Sequence, residues 1–164
     1  MRSILPWLLV AVLAGLLLRG LLPSGRQPAS GVGRVVRVVD GDTIVVRLGG
    51  RYEKVRYIGM DTPESVKPGV PVQCYAKRAS HENARLVAGR RVRLVVGDEP
   101  RDRYGRLLAY VYRASDGRFV NAALVSGGFA RTLTIPPNDR FAPRLAALQH
   151  AAQAAGRGLW HACG

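Results

Sequence analysis

The sequence predicts an α+β domain: a small five-stranded β-barrel with about three helices, preceded by an N-terminal hydrophobic segment. Three observations lead there. Five short stretches rich in branched and aromatic residues are separated by turn signals, a helical pattern follows the third of them, and further helical patterns close the chain. A barrel of this size closes its sheet edges and leaves a strand face and loops free to bind a chain polymer, although the pattern does not give the strand order. At 164 residues the chain suits one domain with a real core.

The first element is the apolar run "ILPWLLVAVLAGLLL", residues 4 to 18, set between Arg2 and Arg19. It reads as an export signal or a membrane anchor. The run is at the short end for a span, which lengthens if it is counted through Leu22 with Arg19 snorkelling. Cleavage candidates in "PSG" and "PAS" are weak, which tilts the balance towards an uncleaved anchor. Residues 1–22 are therefore expected to be a signal peptide or membrane anchor, 23–31 a linker and 32–164 the folded domain. The protein is expected to be exported, either anchored and facing outward or secreted, and monomeric.

Residues 34 to 48 contain two extended stretches, and Gly49-Gly50 permits a reversal into a third, "RYEKVRYIG". In "CYAKRASHENARLVAGR", Ala76, Ala79, Leu86 and Val87 share one helical side and Gly89 stops the helix. Strands four and five are expected at 91–97 and 106–113, separated by the charged loop "DEPRDRYG". "FVNAALVSGG" predicts a short helix. The last helix follows Pro143, spaces Leu145, Leu148, Ala152 and Ala155 along one side, and ends at Gly156.

Charge narrows the class of partner. The chain has 25 Lys and Arg against 11 Asp and Glu; Arg2, Arg19 and Arg26 lie before residue 30 and every acid lies at Asp40 or later, so the part after residue 30 holds 22 against 11. A surplus of +11 favours a polyanion, either nucleic acid through counterion release or anionic lipid. Cys74 and Cys163 are the only cysteines. They are too few for a four-ligand zinc site with the scattered His81, His150 and His161. In an exported protein they suggest a disulfide, with two free buried thiols as the alternative.

Three motifs carry chemistry. In "DGDT", residues 40 to 43, Asp-Gly is a common hairpin signal, so a turn and half of a metal site are both open readings. An EF-hand register from Asp40 would place Arg51 where a bidentate Glu belongs, which excludes that type of calcium loop. "DTPE", residues 61 to 64, has the composition of a helix start, yet Pro68 and Gly69 would end such a helix within about a turn. "DRYGR", residues 102 to 106, reads alone as a solvated charged hairpin. Together the three supply acids for a hard cation, one further acid and two arginines, an inventory suited to phosphodiester cleavage.

"DGDT", "RYIGMDTPE" and "DRYGRLLAYVY", in this order and spacing, resemble the thermonuclease family typified by staphylococcal nuclease, with the similarity running from about Val35 to Trp160. The resemblance implies an OB-fold-like barrel with three helices and a Ca²⁺-dependent nuclease acting on both DNA and RNA and leaving 3′-phosphate ends. It implies that Asp42 and Asp61 are calcium carboxylates and that the Thr62 carbonyl is a third ligand. It implies that Glu64 is the general base and that Arg56 and Arg106 bind phosphate. Arg103 and Tyr104 resemble groups that hold a nucleotide's phosphate, and Lys67 is expected to play a similar part.

Two departures stand out. Where the family places tyrosines around the base, this chain has "TLTIPPND", and "ESVKPGVPVQC" is rearranged relative to the family's substrate loop. Base stacking is thus the function most affected. The three histidines are expected at the surface or in packing, and Trp160 is expected to anchor the C-terminal helix. Two rival readings are a non-catalytic nucleic-acid-binding barrel and a basic protein bound to anionic lipid.

Overall fold

The computed structural model describes residues 30–65 and 68–163. The N-terminal segment, most of the linker and Lys67 lie outside these residues. Among the described residues, no helix is long and apolar enough to cross a membrane.

The described residues form seven strands and four helices in chain order: β1 (Gly31–Val38), β2 (Thr43–Leu48), β3 (Arg51–Tyr57), β4 (Gly59–Asp61), α1 (Ala76–Val87), β5 (Arg91–Arg101), β6 (Leu107–Arg113), α2 (Val120–Ser126), β7 (Arg131–Leu133), α3 (Ala142–Ala154) and α4 (Leu159–Ala162). Five of the strands close a barrel in the order β1-β2-β3-β6-β5. All neighbours are antiparallel except β3 and β6, which run parallel, with Arg56 opposite Leu108. That one parallel contact is what closes the barrel, and α1 and β5 provide the long crossover that parallel strands require.

Alternation along the strands fills the interior. Ile44 and Val46 of β2, Val55 of β3, Val92 and Leu94 of β5, and Leu107, Ala109 and Val111 of β6 are fully buried. The outward positions between them are polar or partly exposed, as a half-buried strand requires, except Tyr110 of β6, which is buried at 3% exposure with its ring against Phe119 and Phe141. Gly49 and Gly50 both adopt positive φ (56° and 81°), so the β2–β3 hairpin turns tightly and its register is fixed.

Several elements differ from the sequence expectation. The third strand does not run to Gly59; it ends at Tyr57, and β4 begins at Gly59 with φ 79°. A side chain on Gly59 would come within 2.6 Å of Leu145. β4 then pairs with β7 in a small second sheet, Asp61 opposite Arg131. Three residues give too short a period to recognise in a sequence. The fourth strand continues to Arg101 with a register shift between Val96 and Arg101, so the expected charged loop is partly strand. The helix α4 was not expected; Leu159 anchors it at 2% exposure.

Cys74 and Cys163 form a disulfide, with Cα atoms 5.9 Å apart, tying the entry to α1 to the end of α4. His81, His150 and His161 are exposed. Trp160 is half-buried with the Arg131 guanidinium 5.3 Å from its ring centroid, so it packs the C-terminal helix against the β7 edge.

Candidate active site

The "DGDT" segment is both a turn and part of a cleft. The Asp40 carboxylate accepts the Asp42 N–H at 3.1 Å, and Val39 N–H donates to the Thr43 carbonyl at 2.9 Å, which shapes the bend before β2. Gly41 is needed for space: a Cβ there would lie 2.6 Å from Thr62 Oγ1 and 2.7 Å from its Cγ2. This close approach is what brings the "DTPE" segment against Asp42.

Asp42 is 1% exposed, and both its oxygens are filled. Oδ1 accepts from Thr43 Oγ1 at 3.0 Å and from Arg56 Nη1 at 2.5 Å; Oδ2 accepts from the Thr62 N–H and from Thr62 Oγ1, each at 2.9 Å. Arg56, from the end of β3, also donates through Nη2 to Asp61 Oδ1. One guanidinium thus bridges the two acids that are far apart in sequence. Asp61 is the accessible member, its side chain 53% exposed against 2% for Asp42.

Burial pushes the Asp42 carboxyl up to about 6; Arg56 and the two Thr62 hydrogen bonds pull against the rise, and neighbouring Asp40 adds to it. Burial opposes the charge on Arg56 as well, but Asp42 and Asp61 outweigh it and hold that guanidinium above its ordinary value. The pair is a cation and an anion held in low dielectric, each dependent on the other.

Asp40, Asp42, Arg56, Asp61, Thr62 and Glu64 line one cleft together with Pro63, Val70 and Gln73. Gln73 clamps the Glu64 backbone from both sides: its Oε1 accepts the Glu64 N–H at 2.8 Å, and its own N–H donates to the Glu64 carbonyl at 2.9 Å. Glu64 accepts the Ser65 N–H at 2.9 Å.

The donor set suits a hard cation. Asp42 and Asp61 present oxygen alone to the cleft, and among the described residues no three His, Cys, Asp or Glu side chains are placed to hold an ion together. Two carboxylates with a carbonyl and water form the kind of shell Ca²⁺ accepts. The Arg56 guanidinium already bridges these two acids, marking where positive charge is held. Because four donors fill the lone-pair positions of Asp42, a cation there must displace one of them, and of the four Arg56 is the one that an ion would repel. Thr62 meets Asp42 through its N–H and hydroxyl, so it orients that acid whatever its carbonyl does.

The third motif lies outside the cleft lining. Arg106 precedes β6, and the pairing of Val55 with Leu107 places it beside Lys54, its Cα about 8 Å from that of Arg56 on the same outward face. Asp102 holds it: Oδ2 accepts from Arg106 Nε at 2.6 Å, and Oδ1 accepts the N–H groups of Arg106 and Tyr104 at 3.0 and 2.9 Å. Burial works against the Asp102 charge, but these bonds keep its carboxyl below the ordinary range. Tyr104 is 68% exposed; Arg103 Nη2 donates to its hydroxyl at 2.7 Å, and the Arg106 guanidinium lies 5.5 Å from its ring centroid.

Two supporting side chains went unrecognised in the sequence. Asn83 of α1 is fully buried, donates to the Asp40 carbonyl at 2.9 Å and accepts from the Tyr57 hydroxyl at 2.9 Å. It falls on the same helical side as Ala76, Ala79 and Leu86, so a polar residue within an apolar stripe was the available signal. Arg101 pairs with Glu53 of β3 at 3.0 Å and donates to the Gly105 carbonyl at 2.8 Å, fixing the loop that presents Tyr104.

A family model described as Staphylococcal nuclease homologue matches residues 54–162. A thermonuclease of Staphylococcus intermedius is 44% identical over 126 residues, covering 77% of this chain and 74% of its own length. The thermonuclease of Staphylococcus hyicus is 41% identical over 127 residues, again covering 77% and 74%. An uncharacterized endonuclease of Escherichia coli O157:H7 is 39% identical over 128 residues, covering 78% of this chain and 76% of its own.

Proposed function

The chain belongs to the staphylococcal nuclease family, and we propose from that premise that it is a Ca²⁺-dependent nuclease cleaving DNA and RNA with low sequence specificity and leaving 3′-phosphate ends. The observation that carries the reading is the joining of Asp42 and Asp61 through Arg56 in one cleft with Glu64. Asp42, Asp61 and the Thr62 carbonyl would hold the ion, which when bound polarises a phosphoryl oxygen and offsets the repulsion between a phosphodiester and the acids.

The remaining work falls to the protein's own side chains. Arg56, freed from Asp42, turns its forked donors to the phosphoryl oxygens that gain charge during attack. Arg106, fixed by Asp102 on the same outward face, meets the phosphate from the neighbouring strand. A Glu64 carboxylate oxygen accepts the proton of the attacking water, and the clamp from Gln73 sets its direction. The water oxygen bonds to phosphorus, the bond from phosphorus to the 5′ oxygen breaks, the departing 5′ oxygen takes a proton from solvent water, and the phosphate stays on the 3′ end. Arg103 and Tyr104 bind a further phosphate at the rim, and Lys67 belongs to the same group. The apolar N-terminus and the Cys74–Cys163 bridge support an exported protein, tethered outward or secreted.

The assigned roles are tested by Glu64→Gln and Arg56→Ala in the full-length chain, with kcat measured and product ends identified. Each variant is expected to stay folded; Glu64→Gln loses about 10² to 10⁴ in rate and Arg56→Ala about 10² to 10³. Wild-type rates in both, or 5′-phosphate products from the unaltered protein, would refute the mechanism.

A further inference from the structure

We propose that the outer wall of the barrel carries a second nucleic-acid subsite, a track for the phosphodiester backbone that leaves the cleft at Arg56 and runs through Lys54 and Tyr52 to a row of arginines, Arg47, Arg34 and Arg91. This rests on the nuclease reading and extends it to how a long strand is held.

Strand register builds the track. On β3, Arg56, Lys54 and Tyr52 occupy alternate outward positions while Val55 and Tyr57 point into the core. Across the sheet Tyr52 lies opposite Arg47, Arg47 opposite Arg34, and Arg34 opposite Arg91. Three arginines therefore stand side by side on β2, β1 and β5, and all three are exposed. The distance is about 13 Å along β3 from Arg56 to Tyr52 and about 14 Å across three strand spacings from Tyr52 to Arg91.

This row is unfavourable for the protein alone, because like charges directly opposite on neighbouring strands repel. Elsewhere the fold relieves some arginines with acids, as in Arg85 with Glu82, Arg101 with Glu53 and Arg113 with Asp116, and what sets this row apart is that its members stand directly opposite one another. Among the described residues, Arg34, Arg47 and Arg91 form no ion pair. Arg34 gives one N–H to the Gly89 carbonyl at 2.8 Å, and the other donors of its guanidinium remain for a ligand. A polyanion would neutralise all three with release of its condensed counterions. Tyr52, 69% exposed beside Arg47, offers a flat face on which any base can stack. Anionic lipid would also satisfy arginines, but the row is joined to the cleft through Lys54 and Arg56 on one strand, which favours a strand that is itself being cut.

The test uses the full-length chain as wild type, R34Q/R47Q/R91Q and R34K/R47K/R91K. Single-stranded DNA of about 20 nucleotides, longer than the roughly 4 to 16 that one such barrel covers, is compared with a dinucleotide that reaches only the cleft. The glutamine variant should show a KM for the long strand raised about tenfold or more, and a log affinity against log salt slope shallower by about 2, from three lost contacts at roughly 0.7 each. Its kcat and KM on the dinucleotide should match wild type, and the lysine variant should restore the long-strand values. Unchanged long-strand KM and salt slope in the glutamine variant, or an equal loss on the dinucleotide, would overturn the track. Loss of preference for phosphatidylglycerol over phosphatidylcholine vesicles with strand binding intact would assign the row to lipid instead. If wild type cleaves neither substrate the nuclease reading fails, whereas the salt slope still decides the track.

Discussion

Asp42 is the residue on which site and stability conflict. Its carboxyl sits near 6 in the fold against an ordinary value of 3.8, so the folded protein holds this proton more tightly than the unfolded chain does. The sign follows from linkage: the contribution of Asp42 to stability in metal-free solution is fully present below about 4 and is lost as pH rises through about 6, by about 3 kcal/mol for a shift of this size, against the opposite trend of acids such as Asp102 that are held below their ordinary range. Urea unfolding in a chelator across pH 4 to 7 should show that fall in wild type and its loss in Asp42→Asn. An identical slope in the two would mean that burial does not penalise this charge. That Asp42 belongs with Asp61 and Glu64 of the cleft was legible because "DGDT" stands in one chain with two other acidic motifs; its bridge to Asp61 through Arg56 was not, since it depends on Gly41 lacking a side chain.

At the scale of elements, the strands and long helices were legible because each carries a full period of its pattern. β2 shows Ile44 and Val46 inward with Arg47 outward, and α1 shows Ala76, Ala79 and Leu86 on one side. β4, β7 and α4 have three or four residues each and take their form from tertiary pairing. The parallel contact of β3 with β6, which sets Arg106 near Arg56, carries no local signal at all. Asn83 links α1 to the site loop, and Asn83→Ala would leave the Asp40 carbonyl and the Tyr57 hydroxyl without their partner. At about 1 to 3 kcal/mol for each buried group so stranded, the variant should lose roughly 2 to 6 kcal/mol in urea unfolding, together with activity. A loss under about 0.5 kcal/mol would show that water replaces the side chain there.

For the whole molecule, the Cys74–Cys163 bridge closes a loop with sequence separation 89 and joins α1, which carries Asn83, to the C-terminal helix. The chain-entropy estimate for such a loop is about 4 to 5 kcal/mol, so dithiothreitol should lower the unfolding midpoint strongly; an unchanged midpoint would remove the bridge from the account. That two cysteines in an exported chain suggest a bridge was readable from their number, while the choice against two free thiols and the place they join came from the structure. The basic surplus likewise foretold a polyanion, and only the register showed where arginines are gathered against their own repulsion. The proposal that unites cleft, track and charge is cleavage of nucleic acid governed by an ion held between Asp42 and Asp61. The most direct measurement follows cleavage of DNA and RNA against Ca²⁺ concentration, with a chelator control, for full-length wild type, Asp42→Ala and Asp40→Asn. Asn at 40 keeps the oxygen that accepts the Asp42 N–H, so the account predicts calcium-dependent cleavage in wild type, little change in Asp40→Asn and none detectable in Asp42→Ala. Cleavage undiminished by the chelator, or a greater loss in Asp40→Asn than in Asp42→Ala, would contradict it.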